Sequence, residues 1–404
     1  MSEDLPELER DELRRYGRHL VLPQVGLEGQ RRLKAARVLL VGAGGLGSPT
    51  ALYLAAAGVG TLGLIDDDRV ERSNLQRQIL YGEATVGRPK VEAAAERLRD
   101  LNPQVRLELH PNRLDADNVV DLVERYDLVV DGSDNFQTRY LVNDACVLAG
   151  KPDVWGAVAQ FEGQVAVFGV PGGPCYRCLF PEPPPPELVP NCAEGGVLGV
   201  LPGIVGGLQA NETIRWILDV GSSLAGRLVI FDALRTRFRE LTLEPDPDCP
   251  MCGRAPGERR LIPVAAGADC SLAAFRPDPE ETPVTDAASN DTTSGAPAAP
   301  VEITVADLAA WREEGKRHKV LDVRRPVEFQ VCSLPDADLI PLHELTGRLD
   351  EIDRDALTVV YCHHGSRSMQ AVRFLRQQGF SQVTNLRGGI DAWSLEIDPG
   401  VPRY

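Results

Sequence analysis

Arg37-Val-Leu-Leu-Val-Gly42-Ala-Gly44-Gly45-Leu-Gly47-Ser48 decides the fold of the first part of this chain. A short aliphatic run, Arg37–Val41, meets a glycine-rich turn, and a helical pattern opens at Ser48 and runs to Ala57. Glycines let a backbone approach a phosphate, and the helix N-terminus behind them offers N–H donors and positive potential. Thr61–Ile65 is the next aliphatic run and ends at Asp66, where a carboxylate can take the hydroxyls of a ribose. Strand, turn, helix and strand make a βαβ unit, hence an α/β fold with a Rossmann-like, mainly parallel sheet covered on both faces. On these residues alone the ligand is a nucleotide of unspecified kind, with NAD the default and a ligand-free tight turn the bland alternative.

Working outward, the rhythm continues. Val105–Leu109 and Asp127–Val130 read as strands with a helix at Asp117–Arg125 between them. Further on, Val320–Val323 and Thr358–Tyr361 read as strands and Ser368–Gln378 as a helix stopped by Gly379, so the last part is a smaller α/β unit. Between the two lies Pro277-Asp-Pro-Glu-Glu-Thr-Pro283 and a Ser/Thr/Ala/Pro/Asp run to Pro300, with almost no large apolar side chain after Phe275. Such a stretch cannot offset the entropy of ordering. The expected organisation is a first domain over 1–265, a flexible linker over 266–300 and a second domain over 301–404.

Composition narrows the function. The 404 residues carry 59 acidic and 43 basic side chains, a formal net charge of −16, which argues against nucleic acid or an anionic membrane as the main partner. The acidic first residues do not read as a signal peptide, and the longest apolar stretch, Val197–Leu208, is broken by Pro202 and four glycines and is too short to span a bilayer. Four of the nine cysteines form two Cys-x-x-Cys pairs, which reads as cytoplasmic metal or thiol chemistry and not as a disulfide scaffold.

Three clusters move the nucleotide away from NAD. Ser73-Asn74-Leu75-Gln76-Arg77-Gln78 gathers amides and a guanidinium, Arg88-Pro-Lys90 adds a cation at a helix start, and Asp131-Gly-Ser-Asp134-Asn135 places carboxylates at a strand end. A hydride-transfer site needs a nicotinamide pocket; a triphosphate needs such cations, and its magnesium needs oxygen ligands such as Asp134. With Arg15-Tyr-Gly-Arg18 and Asp66-Asp-Asp68, these segments resemble the MoeB/ThiF adenylyltransferases, relatives of the ubiquitin-activating enzymes, over about Tyr16 to Leu243. The resemblance implies that Gly42, Gly44, Gly45, Gly47, Ser73, Asn74, Leu75, Gln76 and Asn135 belong to an ATP site. It also implies Asp66 on the ribose, Asn74, Arg77 and Lys90 on the phosphates, and Asp134 as the magnesium carboxylate. Arg18 resembles the arginine that reaches the triphosphate from the opposite subunit, so a homodimer is implied.

Cys175-Tyr-Arg-Cys178 and Cys249-Pro-Met-Cys252 each let two thiolates grip one metal, and four thiolates in a tetrahedron suit a structural zinc, as the family's usual site does. A redox dithiol is the rival, but one pair would serve for that. Cys192, in Pro190-Asn-Cys192-Ala-Glu-Gly-Gly196, resembles the crossover-loop cysteine with which related enzymes link to their protein partner; a free loop cysteine without role is the alternative. Cys146 reads as core.

Cys362-His-His-Gly-Ser-Arg367-Ser follows a strand and opens a helix, which favours a thiolate and would stabilise the charge of a persulfide. A phosphatase loop has five residues between its cysteine and arginine; here there are four, a smaller bowl that suits sulfur. With Leu321-Asp322-Val-Arg324, Glu328-Phe329 and Arg387-Gly-Gly-Ile-Asp-Ala-Trp393 the segment resembles a rhodanese domain over about Val301–Tyr404. Cys332-Ser-Leu-Pro-Asp-Ala337 departs from that family's Gly-His-Ile-Pro-Gly-Ala and puts the local loop geometry in question.

The two resemblances imply one coupled reaction: adenylation of the C-terminal glycine of a small ubiquitin-like sulfur carrier, then sulfur transfer from a Cys362 persulfide to form a thiocarboxylate. The sulfur donor would be thiosulfate or a cysteine desulfurase, and the pathway that of molybdopterin, thiamine, cysteine or tRNA thiolation. An NAD-dependent oxidoreductase with a rhodanese sensor, and a carrier-binding scaffold without catalysis, are the readings from other classes.

Overall fold

In the computed structural model the described residues are 5–183, 196–264 and 299–403. The chain divides into two compact units, Met1–Arg276 and Pro277–Tyr404. The linker expected over 266–300 lies outside the described residues, apart from Ala299 and Pro300; the N–H of Ala299 donates to Ser381 O (3.1 Å), within the second unit.

The first unit is built on eight strands: β1 Arg37–Val41, β2 Thr61–Ile65, β3 Arg106–His110, β4 Leu128–Asp131, β5 Asp153–Ala159, β6 Glu162–Phe168, β7 Arg227–Asp232 and β8 Arg237–Thr242. They lie in the order β3-β2-β1-β4-β5-β6-β7-β8, parallel from β3 to β5 and antiparallel beyond. Val38 and Leu40 of β1 join the apolar cluster on one face, Leu39 and Val41 the cluster on the other. A strand covered on both faces reads as an unbroken aliphatic run, which is why Arg37–Val41 does not alternate. Strand order reverses at β1, between β2 and β4, and in an open α/β sheet the crevice at that reversal takes the ligand.

The stretch Val197–Leu208, read above only as too short for a membrane, enters an 18-residue helix, Leu201–Leu218, packed into the sheet. Among the described residues no helix is long and apolar enough to cross a membrane. Its glycines hid the helix from sequence reading and are what let it pack. A Cβ on Gly206 would stand 2.6 Å from Leu46 O, and Thr50 Oγ1 donates to Gly206 O (3.0 Å). Gln209 Nε2 donates to Asp131 O (2.8 Å) and Val154 O (2.9 Å), tying the helix to β4 and β5.

The second unit has five parallel strands: β9 Glu302–Ile303, β10 Lys319–Asp322, β11 Ala337–Leu339, β12 Thr358–Tyr361 and β13 Val383–Leu386, in the order β11-β10-β12-β13-β9. Central β12 delivers Cys362 to the start of the Ser366–Gln377 helix. In the departing Cys332–Ala337 segment Asp336 stands at φ +59°, a left-handed conformation that favours glycine. Leu334 N donates to Tyr361 Oη (3.1 Å) and Arg324 Nη2 to Cys332 O (2.7 Å), which hold that turn in place.

Candidate active sites

The first site is a cavity of about 300 Å³ at the strand reversal, lined by Gly42, Gly44 and Gly45 on one side and by Asp66, Arg77 and Lys90 on another. Two glycines of the turn admit no side chain. Gly42 has φ +85° and faces the Gly132 backbone, and a Cβ on Gly47 would overlap Gly42 O. Ala43 N donates to Asp66 Oδ2 (2.8 Å) and Asp68 N to Oδ1 (2.9 Å), so the turn and the acidic strand end hold each other. Burial raises the Asp66 carboxyl above its ordinary pKa, opposed by Lys90 and these two N–H bonds. Lys90 is only 6% exposed. Burial works against its charge, yet Asp66, Asp68 and Asp134 outweigh it and hold the ammonium above its ordinary pKa; Nζ lies 2.8 Å from Asp68 Oδ2. A buried lysine kept charged by carboxylates at a cavity wall is a built cation, not a solvated helix residue.

The third wall is the loop after β4. Asp134 and Asn135 line the cavity, and Asn135 caps the Phe136–Ala149 helix by accepting from Thr138 N (2.8 Å). The peptide of Ser133 is clamped from both ends: its N–H donates to Asp131 Oδ1 (2.8 Å) and its carbonyl accepts from Arg139 Nη2 (3.2 Å). Arg139 stacks over Phe136 and Trp155, at 5.4 and 5.8 Å, and itself lines the cavity.

Of the residues singled out from sequence, Gly42, Gly44, Gly45, Asp66, Arg77, Lys90, Asp134 and Asn135 meet at this cavity. Gly47, Ser73, Asn74, Leu75, Gln76 and Arg18 do not line it within one chain. Asn74 is buried beside it, with its Oδ1 accepting from Glu71 N (3.3 Å), and Arg18 is exposed on the Gly17–Leu20 helix. Asn112, Arg113 and Arg139 line the cavity and were missed. Arg139 was legible in principle, one helical turn beyond Asn135; the other two follow β3 with no motif around them.

The two Cys-x-x-Cys pairs come together. Cys175 Sγ lies 3.6 Å from Cys249 Sγ and 4.0 Å from Cys178 Sγ, while Cys178 and Cys252 are 3.3 Å apart. Sulfurs bound to one tetrahedral zinc at about 2.3 Å stand about 3.8 Å apart, so this cluster has the size and chemistry to hold a metal ion. Hydrogen bonds to its three neighbours and burial push the Cys175 thiol well up, so as bare thiols the four compete for protons. Arg177, inside the first pair, is buried in a two-pronged bond with Asp144 (2.7 and 2.9 Å) and also donates to Ile262 O, which fixes the turn. Cys146 is fully buried in the core, as expected. Cys192 lies outside the described residues.

The second site surrounds Cys362, which is buried at the mouth of its loop. Its sulfur accepts from Gly365 N (3.1 Å) and Ser368 Oγ (3.3 Å), donors that suit a sulfur anion. The loop is latched from behind: Ile390 N donates to Cys362 O (3.0 Å) and Asp391 N to His363 O (3.1 Å), an approach possible because Gly389 has no Cβ to meet those carbonyls. His363 stacks on His364, and burial, then that neighbour, push its pKa down to about 4, so at neutral pH it adds no charge. Arg367 is engaged by Glu328 through two bonds of 2.8 and 2.9 Å.

The ThiF family model matches residues 16–251 and the rhodanese-like domain model residues 304–396. The chain is 43% identical over its full length to the probable adenylyltransferase/sulfurtransferase MoeZ of Mycobacterium tuberculosis, covering 98% of that protein. It is 43% identical to the adenylyltransferase and sulfurtransferase MOCS3 of Anopheles gambiae, over 99% of this chain and 90% of the other. The crystal structure of E. coli MccB with AMPCPP and MccA shares the fold alone, with 22% identity and a TM-score of 0.54 over 61% of this chain and 75% of that one. The chain is an enzyme, an adenylyltransferase and sulfurtransferase, and it belongs to the ThiF family as a member that carries a C-terminal rhodanese-like domain.

Proposed function

We propose that this enzyme activates the C-terminal glycine of a small ubiquitin-like sulfur carrier with ATP and then converts it to a thiocarboxylate with sulfur held on Cys362. The observation that carries this reading is the cavity in which the buried, charged Lys90 stands with Arg77, Asp66 and Asp134 around a glycine turn. Asp66 takes the ribose, Lys90 and Arg77 take phosphate oxygens, and Asn74 supports them. Asp134 is the ligand for magnesium, which supplies charge neutralisation on the polyphosphate when bound. A carboxylate oxygen of the carrier attacks the α-phosphorus, the bond to pyrophosphate breaks, and an acyl-adenylate remains. The terminal sulfur of a Cys362 persulfide then attacks the acyl carbon and AMP leaves. The resulting acyl disulfide is opened by a second thiol, for which Cys192 is the candidate within the chain: its sulfur bonds to Cys362 Sγ, the thiocarboxylate departs as the leaving group, and an external dithiol reductant reopens the Cys192–Cys362 disulfide for the next turnover.

The remaining assignments belong to the same reading. Zinc on Cys175, Cys178, Cys249 and Cys252 is structural, because four thiolates leave no open position. The active form is a cytoplasmic homodimer, with Arg18 reaching the triphosphate of the opposite subunit. Thiosulfate or a cysteine desulfurase supplies the sulfur, and domains over 1–265 and 301–404 act on one carrier through the linker. The NAD reading, open on the glycine turn alone, is set aside by the family.

The test is incubation with ATP, magnesium, thiosulfate and a panel of carriers ending in Gly-Gly, followed by intact-mass spectrometry. One carrier is expected to exchange one oxygen for sulfur, and to lose that change with Arg77→Ala or Cys362→Ala. If no carrier changes while Cys362 still accepts sulfur, the adenylation half of the reading fails.

A further inference from the structure

Beside Cys362 the rhodanese unit gathers His363, His364 and Asp391, whose potential ligand atoms all lie within 4.8 Å of one another. The sulfur chemistry proposed above uses none of the three. The imidazoles are stacked with centroids 4.1 Å apart, and His364 Nδ1 lies 3.7 Å from Asp391 Oδ2. What holds the trio is backbone: the latch from Asp391 N to His363 O and from Ile390 N to Cys362 O fixes the three Cα positions independently of the side chains. Donors on a four-coordinate metal stand about 3.3–3.5 Å apart, so modest side-chain rotation closes the set. His364 and Asp391 are only partly buried, which leaves access for an ion and for a solvent ligand.

We propose that His363, His364 and Asp391 form a second metal site, distinct from the four-cysteine cluster, that takes a divalent transition ion of the zinc class. Two imidazoles and one carboxylate are the donor set of zinc, nickel and copper(II), and not of calcium or magnesium. Arg403 engages both oxygens of Asp391, with Nε 2.7 Å from Oδ1 and Nη2 3.3 Å from Oδ2, so an ion at Oδ2 shares that oxygen with the guanidinium. The same guanidinium opposes a cation, so the site is weaker than the four-cysteine one and open to exchange. Two of its ligands directly follow the sulfur-bearing residue and the third belongs to the segment latched to that loop, so an ion there pins the loop.

The probe is zinc, titrated calorimetrically into the full chain after its metal content has been measured. That prior content reports the four-cysteine site separately, so failure there and failure here are distinguishable. A further equivalent is expected to bind, to weaken ~10-fold or more in His364→Gln and in Asp391→Asn, and to be unaffected by His343→Gln, an exposed histidine elsewhere in the unit. Arg403→Gln breaks the same ion pair as Asp391→Asn but keeps every ligand, and it should bind zinc at least as tightly as the parent. Cys362→Ser should leave binding intact. No further equivalent overturns the proposal, as does one that survives both ligand substitutions. So does one that weakens equally in His343→Gln or Arg403→Gln, or one that disappears in Cys362→Ser.

Discussion

The guanidinium of Arg367 and the carboxylate of Glu328 lie side by side, Nη1 on Oε2 at 2.9 Å and Nη2 on Oε1 at 2.8 Å, at the rim of the Cys362 loop. The pairing offsets most of the positive charge that Arg367 could lend the sulfur site. Glu328→Gln should therefore raise loading of Cys362 by the thiosulfate dianion about three- to tenfold, a gain of about 0.6–1.4 kcal/mol in the transition state. It should also lower the stability of this unit by about 1–3 kcal/mol, because a charge-assisted pair is lost. Sulfite release and thermal melting read the two effects, and unchanged loading would contradict the first.

Asp131 and Asp153 place two carboxyl groups in the buried centre of the larger sheet, and among the described residues neither oxygen of Asp153 has a hydrogen-bond partner. Burial raises both pKa values, Asp153 far above the usual carboxylate range, with Asp131 adding to the rise at Asp153 and Asp134 to the rise at Asp131. A folded-state pKa above the unfolded one gives stability that is complete at low pH and is lost as pH rises through the folded value. Asp153→Asn cannot ionise, so it should be more stable than the parent by about 1–3 kcal/mol at pH 8. The gain should shrink towards pH 5. Denaturant titrations at both pH values check this; equal differences at the two would count against it.

Arg139, which belongs to none of the motifs singled out from the sequence, clamps the Ser133 carbonyl and lines the nucleotide cavity. Arg139→Ala should lower ATP–pyrophosphate exchange by about 10- to 100-fold, through misplacement of the loop that bears Asp134. Loading of Cys362 with sulfur should not change. Exchange and loading assays on one preparation separate the effects.

Asp336 sits at φ +59°, where aspartate is tolerated and glycine is at ease. Asp336→Gly should stabilise the second unit by about 0.5–1 kcal/mol, the strain relief exceeding the added freedom of the unfolded chain. A melting temperature below that of the parent would show that the Asp336 side chain matters more than its backbone.

The four-cysteine cluster predicts one zinc per chain. Cys249→Ser should abolish it and destabilise the first unit by several kcal/mol, because it unties the segment after β8 from the Tyr176–Leu179 turn. Metal analysis and melting, with and without a chelator, measure both.

Features that depend on neighbours along the chain were readable from the sequence. The turn from Gly42 to Gly47 works through φ angles and missing Cβ atoms, and Cys362 through its place between a strand and a helix; both are properties of a few consecutive residues. The aliphatic runs gave β1, β2 and β12 at their observed bounds, whereas the Leu201–Leu218 helix was hidden because glycine and proline, poor helix formers alone, serve there to let a buried helix approach the sheet. Tertiary structure decided which distant groups meet. Cys175 finds Cys249 across 74 residues, Arg367 finds Glu328 across 39, and Arg139, the Asp131–Asp153 pair and Asp391 acquire their surroundings only when strands and loops are stacked. Charge, burial and ligand geometry depend on distances in space, and a sequence specifies those only once the chain has folded.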